Sequence, residues 1–129
     1  EWSPKPQVAH LCQAEQAWLG WALTVRERPG SLVGQAPEQG QVFTAEVEEA
    51  DRYPLHIWVT RLRAVRANTL RALASARLTE GDLEKRGVHR TFGEMTVLQF
   101  LRTLYRHDRM HREQVLGLPT SIVLGRRPS

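Results

Sequence analysis

The segment HDRMH is where the sequence first offers chemistry, through His107 and His111. Neutral imidazole presents a lone pair that divalent metals accept, and its second nitrogen can be oriented by a neighbour. Two ligands four residues apart on a helix project from the same side, about one turn apart. At about 100° per residue, both histidines fall within the apolar arc set by Phe100, Leu101, Leu104 and Val115. Two adjacent buried imidazoles need partners. A shared metal ion supplies them, and so does a hydrogen-bonded pair in the core; the spacing leaves both open.

His10 sits at the edge of a second apolar arc, formed by Val8, Leu11, Ala14, Trp18, Trp21 and Ala22. A lone histidine there reads first as structural. Glu15 lies near the centre of that arc, where a carboxylate is unusual unless paired. It is a candidate proton acceptor or orienting group, and a buried ion pair with Arg66 is the favoured reading. Gln114 is a second candidate: it could hydrogen-bond a ligand or a bound water, or simply pack. Asp108 could orient a ligand or pair with Arg112 one turn on. Cys12 is turned about 200° from His10 on the helical wheel, so it reads as a core residue rather than a ligand. His56 falls opposite Trp58 and Thr69 and is expected on the surface. His89, beside Arg90, reads as a solvated loop residue, with the mouth of a pocket as the other option. Trp2, Trp18, Trp21 and Trp58 read as core, with one of them available to line an apolar pocket.

Three helices must position these groups. The first is expected from about Pro4 to Arg28, capped by Ser3 and ended by the Arg-Pro-Gly run at 28–30. The second falls between Thr44 and Ala76, with Leu55, Trp58, Val59, Leu62, Val65, Thr69 and Leu73 as its inner stripe. Pro54 either separates a short helix from a longer one or kinks a single helix. Thr79 to Gly93 reads as a connection broken by Gly81, Gly87 and Gly93. The third helix is expected from near Thr96, where Thr96 and Gln99 have capping-box spacing, and Gly117 with Pro119 would close it. No strand pair is expected, the terminal run 121–124 aside.

The length of 129 residues suits one domain, residues 1–129, with a core that needs no disulfide. The single cysteine, Cys12, rules out an internal bridge and fits a reducing, cytoplasmic setting. No apolar run approaches the roughly 20 residues of a membrane span, and no signal-peptide pattern is visible. The net charge is +4, from 18 Lys and Arg against 14 Asp and Glu, with Lys5 and Lys85 the two lysines. The arginines are dispersed among acids rather than gathered, so a solvated surface is expected and nucleic acid is not the expected partner.

Two segments carry a family likeness. WSPKPQVAHLCQAEQAW at 2–18 has a Trp-Ser pair opening a helix and a histidine followed five residues later by Glu. FGEMTVLQFLRTLYRHDRMHREQVL at 92–116 carries H-x3-H and then Gln. With the intervening L-x-x-L helix and the LTEGDL stretch at 78–83, the sequence resembles the DinB/YfiT-like family of metal-binding helical bundles. The resemblance implies an all-α, DinB/YfiT-like four-helix bundle, and it implies that His10, His107 and His111 form a metal triad. It leaves nickel, zinc, iron and manganese equally open. It also implies a metal-dependent transferase, moving a low-molecular-weight thiol such as bacillithiol or mycothiol to an electrophile, or a hydrolase, in either case acting on a small-molecule substrate. The other reading is a non-catalytic metal- or ligand-binding bundle of a stress or damage response. The helix that opens the family's bundle has no counterpart between Glu1 and Trp2: either it is missing from this sequence or a partner subunit covers the open seam, and a homodimer is expected. Three protein ligands would leave positions for water or substrate, as catalytic sites require.

Overall fold

The computed structural model describes residues 4–34 and 50–115. Three long helices dominate: α1, Pro4–Glu27; α2, Leu55–Ala76; and α4, Val97–Val115. A single-turn helix α3, Glu80–Glu84, and three short strands complete the described chain: β1, Leu32–Val33; β2, Arg86–His89; and β3, Gly93–Thr96. The architecture is all-α, as expected, with the small sheet as an addition at one end.

The helix boundaries follow local chemistry. Pro54 resolves as the N-cap of α2, in extended conformation, so α2 starts after the proline instead of kinking at it. At the start of α4, the Gln99 amide donates to Thr96 Oγ1 at 3.1 Å and the Thr96 amide donates to Gln99 Oε1 at 2.8 Å, the reciprocal box its sequence predicts. A second box, between Thr79 and Asp82, starts α3. Ser3, Thr44, Gly117, Pro119 and the run 121–124 lie outside the described residues.

The connection expected at 79–93 is where the structure corrects the sequence. β2 and β3 form an antiparallel hairpin, and β1 adds to β2 in parallel, giving the order β1-β2-β3. Gly87 is no breaker there. It is needed for close approach: a side chain at Gly87 would collide with Val25 of α1 and sit 3.0 Å from the Ser31 carbonyl oxygen.

α1 lies between its two long neighbours, with a separate apolar cluster on each side. Trp18, Ala22 and Val25 join Val33, Met95, Val97 and Phe100 in one cluster. Val8, Ala9 and Cys12 join Ala50 and Trp58 in the other, with Leu62 and Val65 packed against it. Each large side chain buried this way contributes roughly 1.5–3 kcal/mol. The directions of the helices follow from named contacts. Cys12 Sγ meets the Trp58 carbonyl oxygen at 3.9 Å, Arg66 reaches Glu15, and Arg26 donates to the Ala76 carbonyl at 2.7 Å. The two numbers rise together, so α1 and α2 are parallel. On the other side, Trp18 packs on Phe100 with ring centroids 5.9 Å apart. Lys85 donates to the Arg26 carbonyl at the end of α1 and accepts from the Val97 amide at the start of α4. α1 and α4 are therefore antiparallel.

The favoured reading of Glu15 is what the structure contains. Both its carboxylate oxygens accept from Arg66, at 2.7–3.1 Å, and Oε2 also accepts from Thr69 Oγ1 at 2.7 Å. The partners are unequally buried: the Glu15 side chain is 3% exposed and that of Arg66 42%. Breaking the pair should therefore cost unequal amounts. Arg66→Ala leaves a carboxylate in the core and is expected to lower stability by about 3 kcal/mol. Glu15→Gln leaves an arginine that can turn to water and should cost about 1 kcal/mol. Urea denaturation of the two variants checks the order; equal losses, or the reverse order, contradict it.

Candidate metal centre

His10 is 9% exposed on α1. Its side of the helix is defined by its neighbours at helical spacing. Ala14, Trp18 and Trp21, which follow it by four, eight and eleven residues, all belong to the cluster that faces α4. Cys12, Val8 and Ala9 belong to the cluster that faces α2. His10 is thus on the α4 side of α1, while Glu15 turns toward α2.

On α4, positions 107 and 111 continue the face of Phe100 and Leu104, both of which pack toward α1. His107 follows Phe100 by seven residues, and His111 follows Leu104 by seven. The Trp18–Phe100 contact sets the level of the two helices. His10 precedes Trp18 by about 12 Å of helix, and position 107 follows Phe100 by about 10.5 Å, with 111 a further ~6 Å on. In an antiparallel pair these distances run the same way. The backbone therefore brings His10 level with the turn between 107 and 111. The side chains of His107, His111, Asp108 and Gln114 lie outside the described residues. Among the described side chains, no group of three His, Cys, Asp or Glu gathers.

Imidazoles from His10 and from positions 107 and 111, if gathered, would offer nitrogen donors that suit a divalent ion and would leave coordination positions for other ligands. Glu15 is less suited to a proton-transfer role, because both its oxygens are engaged by Arg66 and Thr69.

Two other histidines separate clearly. His56 is exposed, as expected. His89 is not the solvated loop residue its sequence context implies: it is 5% exposed and ends β2. Its ring stacks on Trp18 at 5.0 Å with a 4° interplanar angle, and on Phe92 at 4.8 Å. Trp21 meets it edge-on at 5.2 Å. Its Nδ1 accepts from the amides of Thr91 at 3.0 Å and Phe92 at 3.2 Å. Burial holds its pKa below the ordinary value. The misreading has a physical source. In Arg-Gly-Val-His, the inward positions of β2 are Gly87 and His89, while Val88 is 39% exposed. Hydrophobicity therefore points to the wrong face of the strand.

The arginines also have local work. Arg61 lies over the Tyr53 ring at 4.1 Å and over Trp58 at 5.0 Å. Arg26 pairs with Asp82 at 3.5 Å, and Arg86 with Glu94 at 2.9 Å. No helix among the described residues is long and apolar enough to cross a membrane.

Cys12 is buried against α2, and burial pushes its thiol up to about 11. It is a core residue and not a nucleophile, since the thiolate is the reactive form. Iodoacetamide at pH 8 should label Cys12 in the folded protein roughly 100-fold more slowly than in denaturant. Comparable rates, measured by intact mass, would contradict this.

A family model of the DinB superfamily matches residues 1–115. No curated protein matches the chain.

Proposed function

The chain belongs to the DinB superfamily, and on that premise we propose that His10, His107 and His111 hold one divalent metal ion that serves a small-molecule reaction. The favoured reaction is transfer of a low-molecular-weight thiol to an electrophile; hydrolysis is the second. The observation that carries the reading is the position of His10. It is buried on the α4-facing side of α1, at the level of the turn that bears the other two histidines.

When bound, the ion would act as a Lewis acid that lowers the pKa of a thiol or water held beside it. The protein's own part is positioning. α1 and α4 present donors from opposite helices, so the helix pair fixes their separation. Gln114, one turn beyond His111, is suited to orient a ligand or a bound water by hydrogen bonding. The attacking sulfur must come from outside the chain, because Cys12 is protonated and faces α2. Of nickel, zinc, iron and manganese, the first three suit imidazole nitrogens best, and manganese favours oxygen donors. A homodimer in the cytoplasm completes the reading.

Elemental analysis after metal reloading should find about one equivalent bound by the native protein. His107→Ala or His111→Ala should weaken binding by at least about 100-fold, more than loss of a supporting contact costs. Mixing the loaded protein with bacillithiol or mycothiol and monobromobimane should speed S-conjugation over the His111→Ala background. Less than about a tenth of an equivalent, unchanged by the substitutions, would refute the centre. Full loading without any conjugation or hydrolysis would favour a binding bundle over an enzyme.

A further inference from the structure

His89 takes no part in the proposed centre, yet its surroundings are more specific than packing requires. We propose that His89 is a protonation-sensitive latch: its neutral ring holds the β2–β3 turn closed, and acid releases that turn and the strand β1 beside it.

The latch is built from the ring outward. Nδ1 accepts both backbone amides of the turn, those of Thr91 and Phe92. A nitrogen that accepts carries no proton, so the ring is neutral, with its hydrogen on Nε2. Protonating Nδ1 removes the lone pair and sets one N–H against two others. Both bonds must then break, whatever the rest of the ring's surroundings favour. The aromatic faces of Trp18, Phe92 and Phe100 would welcome a cation, but they cannot restore an acceptor to the turn.

The turn also anchors the chain that leaves α1. The Arg90 amide donates to the Val33 carbonyl at 2.9 Å, and Arg90 Nε donates to the Gly34 carbonyl at 3.0 Å. Gly34 lies against the ring itself, at φ +99°. A side chain there would approach His89 Nε2 to 2.8 Å. Opening the turn therefore loosens the hold on Val33 and Gly34 as well.

No described carboxylate is aimed at the ring to stabilise its charged form. From α1 it meets Trp18 and Trp21, and Glu15 on that helix is turned to Arg66. From α4 it meets Phe100. On the hairpin, Glu94 pairs with Arg86 on the exposed side, and the charged neighbour on the turn is the cation Arg90. Burial accordingly lowers the pKa of His89. The sign follows. The folded state binds this proton less readily than the unfolded state, so the stabilisation is complete above the ordinary histidine pKa of about 6.5. It declines as the pH falls below that value.

The test is amide hydrogen exchange by NMR on the full chain between pH 7.5 and pH 5, corrected for intrinsic rates. Thr91 and Phe92 should lose protection by about tenfold or more on acidification, while Arg66 in α2 keeps its own. In His89→Gln, whose side-chain oxygen can accept but does not titrate, protection at the turn should be independent of pH. Equal pH dependence in the variant, or constant protection in the native protein, overturns the latch. Should the variant not fold, the native His89 Nδ1 nitrogen shift decides. Its titration must share a midpoint with the loss of protection, and separate midpoints overturn the proposal.

Discussion

α1 has to satisfy two neighbours at once, and the rest of the described structure depends on how it does so. Toward α4 it presents Trp18, Ala22 and Val25; toward α2 it presents Val8, Ala9 and Cys12. Between these faces, Glu15 ties α1 to Arg66 and Thr69 with both carboxylate oxygens. A buried, multiply bonded carboxylate tolerates little sliding, because any shift along the axis would strand charge away from water. The register of α1 on α2 is fixed in this way. On the opposite side, the tilted Trp18–Phe100 contact and the Lys85 bridge fix α1 on α4.

That register gives His10 its meaning. It lies five positions before Glu15, about 140° around the helix, enough to turn it to another side. The same helix thus carries a structural ion pair on one face and a candidate ligand on the other. The sheet stands at the end of α1, and His89 holds the sheet's turn against Trp18.

The helical frame was legible because its signals are redundant. The inner stripe of α2 and the arc around Trp18 each repeat over several turns, so one ambiguous residue does not mislead, and the Thr96–Gln99 box marks the start of α4. Glu15 was legible for a different reason: a carboxylate in an apolar arc demands a cation, and Arg66 stood on the facing stripe. The hairpin was not legible. Its strands have four residues each, too few for a period to declare itself, and the apolar residue of β2 points outward while glycine and histidine point inward. His89 was lost with it, since a buried histidine gives no sign of burial in sequence except through strand parity. His10 is intermediate. Its position at the edge of an arc permitted a ligand, the family likeness selected it, and the helix register now sets it level with positions 107 and 111.

The proposed centre requires that His10 join the two histidines of α4 around one ion. X-ray absorption fine structure of the metal-loaded protein counts imidazole ligands directly. Three imidazoles are expected in the native protein and two in His10→Ala, at the same metal. An imidazole count that does not change on replacing His10 would contradict it.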